Sequence, residues 1–149
     1  MAEQNLVVCC ECGGVNRLPP ARNAREARCG KCASRLFSGH PLDVDATSFD
    51  HQVARSSIPV VVDIWAPWCG PCKAMAPAYE AAASELEPHV RLIKLNSDNE
   101  QAVAARLGIR GIPTMIMFHG GREVARISGA MTAGQIVRWV RDRLPTVAA

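Results

Sequence analysis

Trp65-Ala66-Pro67-Trp68-Cys69-Gly70-Pro71-Cys72-Lys73 is the stretch on which the reading of this chain turns. Just upstream, Pro59 to Trp65 is a continuous apolar run broken only by Asp63, the pattern of a central strand covered on both faces. Downstream, the Ala/Met/Glu-rich segment from Lys73 to about Leu86 reads as a helix, with a kink expected at Pro77. Cys69 and Cys72 therefore stand where a buried strand hands over to a helix. Free backbone N–H groups and the positive end of the helix dipole stabilise a thiolate at such a position, and only the thiolate attacks a disulfide. Cys69 is the expected nucleophile. Cys72, one turn inward and expected to be less exposed, is placed to resolve the mixed disulfide and leave a Cys69–Cys72 bond. A Cys-x-x-Cys pair is also half of a zinc site, but no second pair lies nearby and the strand-to-helix junction favours redox chemistry.

The flanking sequence has the punctuation of a layered α/β domain. Leu42-Asp43-Val44-Asp45 alternates as a short strand, and the Thr-x-x-Asp pattern from Thr47 to Asp50 predicts the start of a helix that buries Phe49 and Val53. Val90 to Asn96 reads as a strand; Asp98 is the expected cap of a helix over Asn99 to Leu107, stopped by Gly108. Thr114 to His119 and Arg122 to Ile127 flank Gly120-Gly121, a hairpin signal. Thr132-x-x-Gln135 opens a last helix with Ile136, Trp139, Val140 and Leu144 at helical spacing. The order β-α-β-α-β-α-β-β-α predicts a mixed central sheet with helices on both faces over 42–149. Residues 145–149 read as a frayed tail.

Seven cysteines in 149 residues divide into two groups: Cys9, Cys10, Cys12, Cys29 and Cys32 near the N-terminus, and Cys69 with Cys72. The acid in Met1-Ala2-Glu3-Gln4-Asn5, the short apolar patch behind it and the lack of a long apolar run predict a cytoplasmic protein with no membrane span. That compartment keeps structural thiols reduced, so the cysteines point to metal binding and redox chemistry rather than a disulfide framework. Residues 1–38 are rich in Cys, Arg, Gly and Pro, show no helical or strand period, and need a staple; Gly39-His40-Pro41 reads as a linker. Cys9-x-x-Cys12 and Cys29-x-x-Cys32 have the spacing of a closed four-thiolate zinc site, with Gly13 and Gly30 expected to supply the turns that aim N–H groups at sulfur. Cys10 is the surplus thiol, although an exchange with Cys9 stays open, as do oxidised or redox-active pairs. His40 and His51 read as surface residues.

Residues 1–40 hold six Arg/Lys against three acids, and 41–149 hold eleven of each. Four thiolates around one Zn2+ would add two negative charges, which leaves the N-terminal part near +1 and removes most of the case for nucleic acid.

Trp68-Cys69-Gly70-Pro71-Cys72-Lys73 resembles the active-site motif of the thioredoxin family, and the likeness continues at Asp63, Lys94, Pro77, Gly129 and Ile112-Pro113-Thr114. It covers 42 to 144. The resemblance implies a thioredoxin fold and a protein-disulfide reductase. It implies that Asp63 is the family's buried acid, neighboured by Lys94, and that Ile112-Pro113 is a cis segment to which an extended substrate adds. Trp68, Gly70, Pro71, Gly129 and Ala130 would complete the apolar substrate surface, while Trp65 and Trp139 read as core. A carboxyl held in an apolar strand has a raised pKa, tempered here by Lys94, and can exchange a proton with Cys72; the plainer alternatives are a satisfied buried acid or an ion pair.

A four-cysteine module ahead of such a domain resembles the zinc-containing thioredoxin 2 branch of bacteria, with a zinc-ribbon-like module at 1–38 and one structural zinc. The resemblance implies that the chain takes electrons from NADPH through a flavin-containing thioredoxin reductase and passes them to substrate proteins; a monomer is expected. Zinc-linked redox sensing stays open. The competing class, a zinc-ribbon adaptor with the redox domain as passenger, would want aromatic residues among the basic ones, and residues 1–35 contain none. An oxidase or isomerase of an oxidising compartment would want an export signal.

Overall fold

The computed structural model describes residues 5–19 and 23–144. The expected tail at 145–149 lies outside them. The N-terminal segment forms an antiparallel pair, β1 (Asn5–Val8) and β2 (Val15–Leu18). These are strands that periodicity did not reveal, because four residues are too few for a period. The pairing is imposed instead by the turn between them, where the Cys9 N–H donates to the Gly14 carbonyl at 2.8 Å.

The larger part contains β3 (Leu42–Asp43), α1 (Ala46–Arg55), β4 (Val60–Trp65), α2 (Gly70–Leu86), β5 (Arg91–Asn96), α3 (Gln101–Arg106), β6 (Thr114–His119), β7 (Arg122–Ser128) and α4 (Ala133–Arg143). The sheet order is β3-β5-β4-β6-β7, parallel through the first three strands and antiparallel at β6 and β7. This is the mixed sheet expected from the element order, and the thioredoxin fold that the resemblance implies.

β4 runs through the middle. Val60, Val62 and Ile64 pack with Phe49 of α1 and Val103 of α3, while Val61 packs with α2 and α4 through Met75, Tyr79, Ile136 and Val140. Successive strand residues alternate faces, so Asp63 and Trp65 share the face of Val61. Trp139 is core, as expected; Trp65 is half-buried. The outer strand β7 is largely exposed and slips register against β6 between Met117 and Phe118.

Helix starts show where local rules compete. α1 is capped by Asp45, whose carboxylate accepts from the Ser48 N–H at 2.8 Å, and Thr47 lies inside the first turn. Two cap-forming residues stood two positions apart, and the one preceding the buried face prevails; Phe49 is buried and Val53 half-buried. α3 is shorter than predicted and Asp98 does not cap it, because its side chain is engaged by Trp68. Gly108, with φ +68°, ends that helix as expected. α4 has the predicted capping box between Thr132 and Gln135.

The segment at 39–41 is tied to α2 and the turn after it. The Gly39 N–H donates to Glu87 Oε1 at 3.2 Å, and His40 Nδ1 lies 2.7 Å from Glu80 Oε2.

Candidate functional site

α2 starts at Gly70, one turn before the sequence signal at Lys73, because Cys69 itself is the N-cap. Cys69 and Cys72 are joined in a disulfide, with Cα atoms 5.3 Å apart. The Cys72 N–H points at Cys69 Sγ at 3.2 Å, so a charge developing on that sulfur meets a backbone donor and the positive end of a long helix. Both cysteines are almost fully buried, Cys69 at 4% and Cys72 at 3% exposed. The expected contrast in exposure is therefore absent, since Trp65, Ala66 and Ile112 pack around the pair. What separates them is position: Cys69 borders a groove of about 560 Å³ shared with Trp68, Pro71, Ala105, Ile109, Arg110 and Ile112, and Cys72 does not.

The Ile112–Pro113 bond is cis, and the Ile112 carbonyl lies 3.8 Å from Cys69 Sγ. Gly129, at φ +106°, donates its N–H to the Pro113 carbonyl at 2.9 Å. Only glycine adopts that φ without strain, so it brings the β7–α4 turn beside the cis segment. Trp68 is 70% exposed and its Nε1 donates to Asp98 at 3.1 Å, which fixes an apolar indole at the rim. The structure thus brings Cys69, Cys72, Trp68, Gly70, Pro71, Ile112, Pro113 and Gly129 together around the disulfide, with Cys72 and Pro113 buried beneath the groove.

Asp63 and Lys94 are register partners on β4 and β5. Asp63 is 1% exposed and its Oδ1 has no hydrogen-bond partner among the described residues. Burial pushes its carboxyl up to about 7, with Lys94 pulling the other way. The Lys94 ammonium sits 4.8 Å above the Trp65 ring instead of closing a contact ion pair with Asp63. Neither the satisfied-acid nor the ion-pair alternative describes this carboxyl. It is a group balanced between protonation states near neutral pH.

The second cluster is Cys9, Cys12, Cys29 and Cys32, whose sulfurs all lie within 4.8 Å of one another. Cys9 and Cys32 are 3.5 Å apart and Cys12 and Cys29 3.6 Å, against the sulfur–sulfur edge of about 3.8 Å in a tetrahedral four-thiolate zinc site. The two knuckles repeat each other. In one, Glu11 and Gly14 N–H groups point at Cys9 and Cys12 Sγ and the Gly13 N–H returns to the Cys9 carbonyl; in the other, the Lys31 N–H points at Cys29 Sγ and the Ala33 N–H returns to the Cys29 carbonyl. The left-handed residues are Gly13 (φ +74°) and Ala33 (φ +66°), so the second turn is made at Ala33 and not, as expected, at Gly30. Asn16 joins the halves, accepting from the Gly30 N–H and donating to the Gly14 carbonyl. Donors aimed at sulfur and four sulfurs gathered within 4.8 Å of one another fit a divalent metal held by four thiolates. Cys10 stands outside the cage.

Asn16, Asp98 and the buried pair Glu87 and Arg91 are residues that sequence reasoning passed over or placed elsewhere. Each has at least one partner far away in the chain, Gly30 for Asn16, Trp68 for Asp98, Gly39 for Glu87 and Val8 for Arg91, and that distant contact leaves no local pattern. Among the described residues no helix is long and apolar enough to cross a membrane.

The thioredoxin family model matches residues 40–142. The chain is 34% identical over 139 residues to thioredoxin C-3 of Corynebacterium nephridii, covering 93% of this chain and 95% of that protein. A match of that length must run into the cysteine-rich N-terminal segment. A thioredoxin of Haemophilus influenzae is 37% identical over 103 residues, 69% of this chain and 96% of that one. Among solved structures, a mutant thioredoxin from Halobacterium salinarum superposes with a TM-score of 0.65 at 29% identity, covering 75% of this chain and 97% of the other. A disulfide capping a helix beside a cis-proline agrees with these matches, and the chain belongs to the thioredoxin family of protein-disulfide oxidoreductases.

Proposed function

We propose that the chain is a cytoplasmic, monomeric thioredoxin of the zinc-containing thioredoxin 2 kind, reducing protein disulfides with electrons from NADPH delivered by a thioredoxin reductase. The observation that carries the reading is the Cys69–Cys72 pair on the first turn of α2, facing the cis Ile112–Pro113 bond. An extended substrate docks against Trp68, Gly70, Pro71, Ile112, Pro113 and Gly129, with backbone contacts supplying affinity. The Cys69 thiolate attacks one substrate sulfur, forming a mixed disulfide and expelling the other as thiolate. Cys72, giving its proton to Asp63, attacks Cys69 Sγ and releases the second substrate thiol, so two electrons pass to substrate and the chain ends oxidised. Lys94 limits how far burial raises Asp63.

With bacterial thioredoxin reductase and a protein disulfide, the chain is expected to sustain NADPH consumption that depends on both proteins. No consumption above the reductase-only rate would sink the assignment.

Residues 1–38 we assign to metal, with Cys9, Cys12, Cys29 and Cys32 holding one Zn2+ in a closed site that lends structure. Cys12 and Cys32 are exposed while Cys9 and Cys29 are buried, so an oxidant meets the first two before the others, and zinc release on oxidation follows from that order. The redox residues all lie in 42–149, beyond the 39–41 linker. Metal analysis should find one zinc per chain, none after replacing Cys29 and Cys32 with Ser, and one after replacing Cys69 and Cys72. A chain beginning at Pro41 should still reduce disulfides; loss of all activity would make the module part of the redox site.

A further inference from the structure

Arg91, at the start of β5, is 1% exposed, an unusual place for a guanidinium. Burial works against its charge, and Glu87 supports it. The groups that receive it come from two parts of the chain. Its Nη2 donates to the Val8 carbonyl at 3.1 Å, its guanidinium lies 4.3 Å above the Phe37 ring, and its Nη1 is 3.9 Å from Glu87 Oε2. Glu87 is equally buried and accepts from the Leu92 N–H on one oxygen and the Gly39 N–H on the other. Neither residue belongs to the redox site.

The Val8 carbonyl takes a second donor, Gln52 Nε2 of α1, at 3.2 Å. That carbonyl shares its peptide unit with the Cys9 N–H, which donates to the Gly14 carbonyl at 2.8 Å. The Val8–Cys9 peptide plane is therefore clamped at both ends, by the sheet domain on one side and by the first knuckle on the other. Orientation of that plane sets the direction of the Cys9 side chain. Groups beyond the direct ligands commonly govern metal affinity in this way.

We propose that Arg91, assisted by Gln52, is an outer positioning residue of the four-thiolate site: it holds the Val8–Cys9 peptide so that Cys9 Sγ faces the ion. The inference rests on reading the cluster as a metal site. It adds that metal affinity and docking of the module onto β5 and α1 are one coupled quantity. By reciprocity, whatever loosens the clamp loosens the metal, and the ion in turn tightens the clamp.

The test is competition for zinc between the full-length chain and a chromogenic chelator. Arg91→Met should weaken zinc binding by about 10- to 100-fold, the range for outer-shell groups. Arg91→Lys, which keeps the charge but loses the fork, should fall between it and wild type. Gln52→Ala removes one of two donors to the Val8 carbonyl and should weaken binding by roughly fivefold. Disulfide reduction by the same zinc-loaded samples should stay within about twofold of wild type, because no residue of the redox site is changed. If Arg91→Met does not fold, Arg91→Lys and Gln52→Ala carry the test. Zinc affinity within about twofold of wild type in the folded variants overturns the proposal. A wild-type chain that takes up no zinc overturns the metal reading itself, a result seen before any variant is made.

Discussion

Replacing Cys72 with Ser is expected to turn the chain from a catalyst into a trap. Cys69 still caps α2, faces the groove and attacks substrate disulfides, but the residue that would release the mixed disulfide has lost its nucleophile. Substrate proteins should then accumulate as covalent adducts that reductant removes. Cys69→Ser should form almost none, since a hydroxyl at the helix N-terminus does not attack sulfur, and turnover in either variant should fall by at least about 10³-fold. With both cysteines buried to the same degree, selectivity comes from which sulfur borders the groove, a distinction that spacing alone did not supply. Adduct counts on non-reducing gels decide it. Equal trapping by the two variants would show that position in the helix does not assign the roles.

Asp63→Asn should stabilise the protein, and by an amount that depends on pH. The folded carboxyl titrates near 7, above the value of about 3.9 for an unfolded Asp. The folded chain therefore holds this proton more tightly than the unfolded chain, and stability declines as pH rises from about 4 to about 7. Above that range the buried charge costs on the order of 4 kcal/mol. Asn carries no such charge, so denaturant unfolding should show little difference at about pH 4 and a gain of a few kcal/mol at about pH 8, reduced by whatever the buried amide leaves unpaired. Reduction should slow in the same variant by about 10²-fold near neutral pH, because Cys72 loses its proton acceptor. A gain of equal size at both pH values would mean that packing, not ionisation, is responsible; rates equal to wild type between about pH 6 and 8 would make Asp63 structural.

How far this was legible depends on the range of the interaction. The β4–α2 junction could be read because everything that makes it is local: an apolar run, one acid, a helix-forming stretch and two cysteines. The four-cysteine cage could be read because ligand spacing is a distance along the chain. Asp98 was mistaken for a helix cap because its true partner, Trp68, is thirty residues earlier. Arg91 lies within the strand expected over Val90 to Asn96, where nothing sets it apart, and nothing before folding says that Val8 and Phe37 will cover it. Ala33 carries a left-handed turn that glycine statistics assign elsewhere; the repeat of the first knuckle by the second overrides local preference.

Both margins of the sheet discourage further pairing. β3 is two residues long, and β7 is exposed, slipped in register against its neighbour and studded with Arg122, Glu123 and Arg126, the last two joined in an ion pair. Short, irregular and charged edges are poor templates for an incoming strand, which is how sheet proteins avoid sticking to one another. Under the proposed docking mode, in which clients take backbone hydrogen bonds at Ile112, the chain is under particular pressure to lend none at its flanks. Blunt margins confine that adhesiveness to the few residues before the cis-proline, where a sulfur waits to make the contact productive.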